Sequence, residues 1–279
     1  MQPGIFAKTF PRASVEEVFD AMRTHGFEHT QFNMSCAGLP SMPDGIDPSV
    51  AARIRNAAME RGIVISAVSG TFNMIHPDEE VRWTGLRRLG VLAASCEELG
   101  ASTITLCTGT RDPYDMWRHH PDNEAPEAWR DLLSAMQSAL DVAEENNVTL
   151  AFEPEPGNVV SSAARGRRLL DEMDSARLKV VIDAANLLQN TNPVRADKAL
   201  GEACELLGDD ITLAHAKDIT ASGEVVAAGK GMVDYDAYLE LLRRAGFEGS
   251  IVLHGLDETE VGESVAFLRG RLVEIRDER

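Results

Sequence analysis

Eight short apolar runs, most of them ending on a polar residue and each followed by an amphipathic helical pattern, constrain this chain more than any other feature. They span Gly4 to Lys8, His29 to Asn33, Val64 to Val68, Thr103 to Cys107, Thr149 to Glu153, Val180 to Asp183, Ile211 to His215 and Ile251 to His254. Runs that are apolar almost throughout belong to strands buried on both faces, which is the condition of parallel strands covered by helices. The helical stretches carry their own punctuation. Ser14 with Glu17 reads as a capping box, Asp47-Pro48 as a cap with a first-turn proline, and Gly26, Gly62, Gly100 and Gly246 as stops just before the next strand. Eight such βα units predict an α/β protein closed into a (β/α)8 barrel rather than an open doubly wound sheet. A length of 279 residues is ordinary for one such barrel, so residues 1–279 are expected to form a single domain.

In a barrel the functional residues gather at the carboxyl ends of the strands, and strand residues alternate between the interior and the helices. If Glu153 points inward, so do Ala151 and Thr149; Asp183 takes Val181 with it, His215 takes Leu213 and Ile211, and His254 takes Val252. Two carboxylates and two imidazoles from four successive strands then converge on one axis. Buried carboxylates need a partner, and this donor set suits a divalent ion such as Mn2+, Fe2+, Co2+ or Zn2+. The longest irregular stretches, Gly38 to Asp47, Thr108 to Ala125 and Asp218 to Val233, each follow a strand and so belong to the same face.

Composition removes several function classes. With 45 acidic against 27 basic residues the formal charge is −18, which opposes binding to a phosphate backbone, so no nucleic-acid partner is expected. No stretch approaches the ~20 apolar residues of a membrane span, and no export signal precedes Ile5. Cys36, Cys96, Cys107 and Cys204 are too scattered for a disulfide framework or a zinc knuckle, which fits a reduced, cytoplasmic setting.

The residues at the strand ends resemble a known group. Phe-Glu-Pro-Glu-Pro around Glu153, Val-Ile-Asp-Ala-Ala-Asn around Asp183, His-Ala-Lys-Asp from His215, the Gly229-Lys-Gly segment leading to Asp234, and Phe72-Asn-Met-Ile-His-Pro-Asp are similar to the xylose-isomerase-like TIM-barrel superfamily, and within it to the sugar phosphate isomerase/epimerase branch. That group includes sugar isomerases, ketose 3-epimerases, inosose dehydratase and endonuclease IV. The resemblance implies one divalent ion, Mn2+ first and Co2+, Mg2+, Fe2+ or Zn2+ as alternatives, held by Glu153, Asp183, His215 and His254. It also implies a small carbohydrate substrate handled through an enediolate, and barrels of this group often form homo-oligomers. Two positions depart from the pattern: His254 stands where a glutamate is usual, and Asn186 where epimerases often place a histidine.

From these residues Glu153 is expected to ligate metal and move the proton. Lys217 is expected to donate to a developing oxygen, with Asp218 holding the lysine in place. Lys8, Asn33, His76, Arg111 and Asn186 are candidates for binding substrate hydroxyls or a phosphate. Trp117, His119 and His120 lie in a long loop that could serve as a lid, and Glu155 or Glu258 could replace the missing second acid/base. A lyase acting on a keto-sugar or keto-cyclitol shares the enediolate and stays open as an alternative, as does a sugar-binding barrel without turnover.

Overall fold

The structure of the protein, a computed structural model, describes residues 1–189 and 196–277. Eight parallel strands close a barrel: β1 (Gln2–Phe6), β2 (His29–Phe32), β3 (Val64–Ser69), β4 (Thr103–Cys107), β5 (Thr149–Glu153), β6 (Leu178–Asp183), β7 (Ile211–Ala216) and β10 (Ser250–Leu253). They hydrogen-bond in the order β1-β10-β7-β6-β5-β4-β3-β2, with β1 also pairing β2. The (β/α)8 architecture read from the eight runs is the observed one. A short antiparallel hairpin, β8 (Asp218–Ile219) with β9 (Val225–Val226), stands in a stretch expected to be irregular.

Around the barrel lie α1 (Val15–Thr24), α2 (Pro48–Glu60), α3 (Glu79–Leu99), α4 (Pro126–Glu145), α5 (Ala163–Met173), α6 (Ala184–Leu188), α7 (Ala196–Leu207), α8 (Tyr235–Arg244) and α9 (Val261–Asp277). The cap signals act as read, with one shift. Ser14 accepts from the Glu17 N–H at 3.3 Å, but the Glu17 carboxylate reaches back to the N–H of Ala13 rather than of Ser14. Asp47 caps α2 above Pro48, and the four glycine stops all have positive φ. No described helix is long and apolar enough to cross a membrane.

Two apolar regions follow from the strand alternation. Inside the barrel, Ala67, Ala151, Val181, Leu213 and Val252 pack on one another and on Phe6. Four of these are residues whose inward direction the strand parity predicts, whereas Ile211, expected with them, packs against the outer core beside a register shift between Val180 and Val181. The opposite parity, Leu150, Phe152, Ile182 and Leu253 among others, packs outward against the helices in the larger core. Small and medium side chains fill the middle of the axis, with a His29–Ser66–Ser250 hydrogen-bonded group at its amino end and the charged residues at its open end.

Candidate active site

Glu153 and Asp183 are the last residues of β5 and β6, His215 is next to last in β7, and His254 follows β10 directly. Neighbouring registers bring them level: Asp183 lies opposite His215, and Val252 opposite His215 on the other side. One ligand atom from each of the four residues lies within 4.8 Å of all the others. His215 Nδ1 is 3.2 Å from Glu153 Oε1 and 3.7 Å from Asp183 Oδ2, while His254 Nε2 is 3.5 Å from Asp183 Oδ2.

The protonation of His215 is set from behind. The Gln31 amide donates through Nε2 to the hydroxyls of Ser69 and Thr105, at 3.1 and 3.2 Å, which leaves its Oε1 to accept from His215 Nε2 at 2.8 Å. A proton committed to Nε2 leaves Nδ1 of a neutral imidazole as a bare lone pair, and that lone pair is turned toward two carboxylates. His215 Nδ1 and His254 Nε2 are buried without a hydrogen bond among the described residues, and Asp183 Oδ2 has the Lys217 ammonium beside it at 3.1 Å. Lone pairs and negative oxygens pointing at one spot repel one another unless a cation lies between them. The donor set and the two orphaned nitrogens therefore fit a divalent ion held by Glu153, Asp183, His215 and His254.

The surrounding charges are strongly coupled. Burial alone would raise the Asp183 carboxyl, but the Lys217 ammonium, with Nζ 3.1 Å from Oδ2, and the two imidazoles outweigh it and hold the group well below the usual carboxylate range. Burial would likewise lower Lys217, yet Asp183, Glu153 and Glu155 keep it firmly protonated, above its ordinary range. Glu155 behaves in the opposite way. Desolvation first, then the nearby Glu153 charge, push its carboxyl up to about 8. His254 is lowered, chiefly by burial and then by His215, although a quarter of its side chain remains open to the cavity.

That cavity, of about 650 Å3, opens above the four residues and is lined among others by Glu155, Asn186, Lys217 and His254. Asn186 is brought in as expected: its Nδ2 donates to Glu153 Oε1 at 2.7 Å. The remaining candidates are placed otherwise. β1 ends at Phe6, so Lys8 stands in the following single turn, Ala7–Thr9, and is exposed. Asn33 caps the turn Met34–Ala37 by accepting from the Ser35 N–H, and also accepts from the Ser41 hydroxyl. His76 serves as a turn residue: its Nδ1 accepts from the Asp78 N–H at 3.0 Å, and its Nε2 sits 3.2 Å from the Pro113 carbonyl. Arg111 is spent on Asp131 and on the Ile75 carbonyl. Asp218 does not hold Lys217. Its carboxylate accepts from the N–H groups of Ile219, Gly229 and Val233, and a Cβ at Gly231 would lie 2.3 Å from it, so it shapes the Gly-Lys-Gly loop instead. Glu258 is ion-paired with Arg12 at the start of the turn before α9, and His120 caps the turn Pro121–Glu124.

Gln31 escaped the sequence reading, although an amide between Thr30 and Phe32 in a buried strand, on the parity that faces the axis, was a usable signal. So did the three amides that hold the loop after β4. Asn158 takes the Gly109 N–H and donates to the Met116 carbonyl, Asn123 accepts from Thr110 and Arg111, and Asn73 bonds both N–H and C=O of Thr110. Nothing in their spacing marks them, because they reach the one loop from the segments after β3, β4 and β5.

Comparison with known proteins agrees with this geometry. The family model described as xylose isomerase-like TIM barrel matches residues 19–271. L-ribulose-5-phosphate 3-epimerase UlaE of Escherichia coli is 24% identical over 265 residues, covering 92% of this chain and 87% of the relative. Among solved structures, a D-tagatose 3-epimerase-like protein superposes with a TM-score of 0.80 at 17% identity, over 100% of this chain and 99% of its own. The apo form of 3-keto-D-glucoside 4-epimerase YcjR from E. coli gives 0.74 at 19% identity, over 97% and 99%. The chain belongs to the xylose isomerase-like TIM barrel family.

Proposed function

We propose that the protein is a sugar isomerase or epimerase that depends on one divalent metal ion, Mn2+ first among the candidates, and works by moving a proton at a carbon next to a carbonyl. The observation that carries this reading is the convergence of Glu153, Asp183, His215 and His254, one ligand atom of each within 4.8 Å of the others, with His215 Nδ1 and His254 Nε2 buried and without a hydrogen bond among the described residues. The relatives that match over most of both chains act on a ribulose phosphate, and the structural neighbours include an epimerase of a keto-glucoside. When bound, the ion supplies Lewis-acid stabilisation of the enediolate that proton loss creates.

The chain's own groups do the rest. Glu153, held by the Asn186 amide, takes the proton from carbon. Lys217, kept charged and pinned by Asp183, offers its ammonium to the oxygen that becomes negative. Glu155 lines the same cavity, where desolvation and the Glu153 charge raise its carboxyl in the metal-free protein, and it serves as the acid for the other face, in place of the glutamate usual at the position of His254. A protonated Glu155 equally suits a lyase, where it would protonate a departing hydroxyl.

The test is to measure bound metal, then incubate the loaded protein in D2O with a panel of free, phosphorylated and glycosylated keto-sugars. Deuterium at one carbon with a second epimer or isomer supports the proposal; loss of water with an enone product moves it to the lyase reading. Glu153→Gln is expected to abolish exchange with the fold intact, and exchange that persists in that variant removes Glu153 from its role.

A further inference from the structure

The cavity is larger than a single sugar needs. A hexose has roughly a dozen heavy atoms, and at about 30 Å3 each, the share of one water molecule in the liquid, it fills about half of the 650 Å3. The remaining space is bounded by Trp117, which is 50% exposed, and by Val225 of β9, 44% exposed. These two put apolar surface beside the polar groups of the mouth, where a bound molecule would cover it.

Trp117 is also held in place before anything binds. The carbonyls on either side of it, those of Met116 and Arg118, accept from the Asn158 amide at 3.0 Å and the Thr110 hydroxyl at 2.8 Å. The Trp117 N–H donates to Asp115, and its own carbonyl presses on Gly157 so closely that a Cβ there would lie 2.0 Å away. The backbone that carries Trp117 is thus a fixed part of the wall, and its ordering cost is met in folding.

The charges around the cavity argue against a phosphate. Two cations line it among the described residues, and both are committed. Arg118 is paired with Asp112 at 3.2 Å and Asp115 at 3.5 Å, and Lys217 with Asp183 at 3.1 Å. No other Lys or Arg lines the cavity among the described residues. A phosphate dianion wants convergent, uncommitted donors, above all Arg.

Building on the sugar reading above, we propose that the substrate is an unphosphorylated keto-sugar bearing a substituent, as in a glycoside, with the sugar over the four-residue cluster and the substituent flat on Trp117 and against Val225. The reacting end is then set by Glu153, Lys217 and Asn186, and the choice among sugars by the wall.

Binding tests this without turnover. The metal-loaded protein is titrated by calorimetry and tryptophan emission with the 3-keto derivative of phenyl β-D-glucopyranoside, D-fructose and D-ribulose 5-phosphate. The glucoside is expected to bind about tenfold or more tighter than either of the others, an advantage that Trp117→Ala removes and Trp117→Phe largely restores. Tighter binding of D-ribulose 5-phosphate, or an aryl advantage that survives Trp117→Ala in a folded variant, overturns the proposal. The two readings fail separately. Deuterium exchange confined to sugar phosphates sinks the substituent inference and leaves the isomerase, whereas Trp117-dependent glucoside binding with no exchange on any sugar sinks the isomerase and leaves the wall.

Discussion

The Gln31 carbonyl oxygen lies 2.8 Å from His215 Nε2, on the side of the ring away from Glu153 and Asp183. A residue of β2 therefore decides which nitrogen of a β7 imidazole is free to bind. Outer partners of this kind fix the tautomer and orientation of a ligating histidine and are worth about 10- to 100-fold in metal affinity. Gln31→Leu should lower affinity for Mn2+ by that range, read by chelator competition, with little change in the folded state. Gln31→Glu keeps an acceptor and should recover much of the loss. Equal affinity for all three proteins would show that the contact does not orient the ring.

The Lys217–Asp183 pair is buried, and its two members depend on each other. Removing the lysine leaves an anion beside two further candidates for negative charge, and breaking one half of a buried pair costs on the order of 3 kcal/mol. Metal-free Lys217→Met should unfold earlier in urea by about that much, while the double variant Lys217→Met/Asp183→Asn should recover most of it. The metal-loaded single variant should regain stability too, because the cation replaces the ammonium. A single variant as stable as the parent without metal would mean the imidazoles already compensate by protonating.

Much of this site was legible in the chain because barrel strands impose a rigid parity. Ala151, Val181, Leu213 and Val252 face the axis as the alternation requires, and the same alternation carries Glu153, Asp183, His215 and His254 to one point. The loops obey no such rule. Lys8, His76 and Arg111 looked available because a polar residue after a strand is near the mouth, but β1 ends two residues before Lys8, and the other two are consumed in joining loops to one another. Asp218 misled for the same reason. Its neighbour in sequence is Lys217, but its partners are backbone N–H groups up to fifteen residues away, which only the folded loop brings near.

Glu155 gives the stability of the metal-free protein a pH dependence of unusual sign. Its carboxyl ionises near 4.5 when unfolded and is pushed up to about 8 when folded, by desolvation first and by Glu153 second. Between those values the native state holds a proton that the unfolded chain has released, so stability falls as pH rises through the window and is flat on either side. Melting temperatures of parent and Glu155→Gln, taken from pH 5 to pH 9 with chelator present, should differ in slope, the parent losing stability toward pH 8 and the variant losing less. Parallel curves would place the Glu155 proton elsewhere.

Gly157 offers a way to disturb the wall of the cavity without touching any group that handles a proton. A methyl at this position would lie 2.0 Å from the Trp117 carbonyl oxygen and 2.8 Å from its carbon, both backbone atoms that cannot swing aside. Gly157→Ala must therefore displace the segment around Trp117, and with it the bonds that Asn123 makes to the Gly157 carbonyl and Asn158 to Met116. The barrel strands and the four-residue cluster lie on other elements, so metal affinity should stay within about twofold of the parent, while overpacking costs about 1–3 kcal/mol of stability. Metal titration and urea unfolding of the same preparation separate the two effects. Loss of metal binding along with stability would mean that the loop after β4 and the cluster fold as one unit, because displacing Gly157 would then have moved Glu153, four residues earlier in the chain.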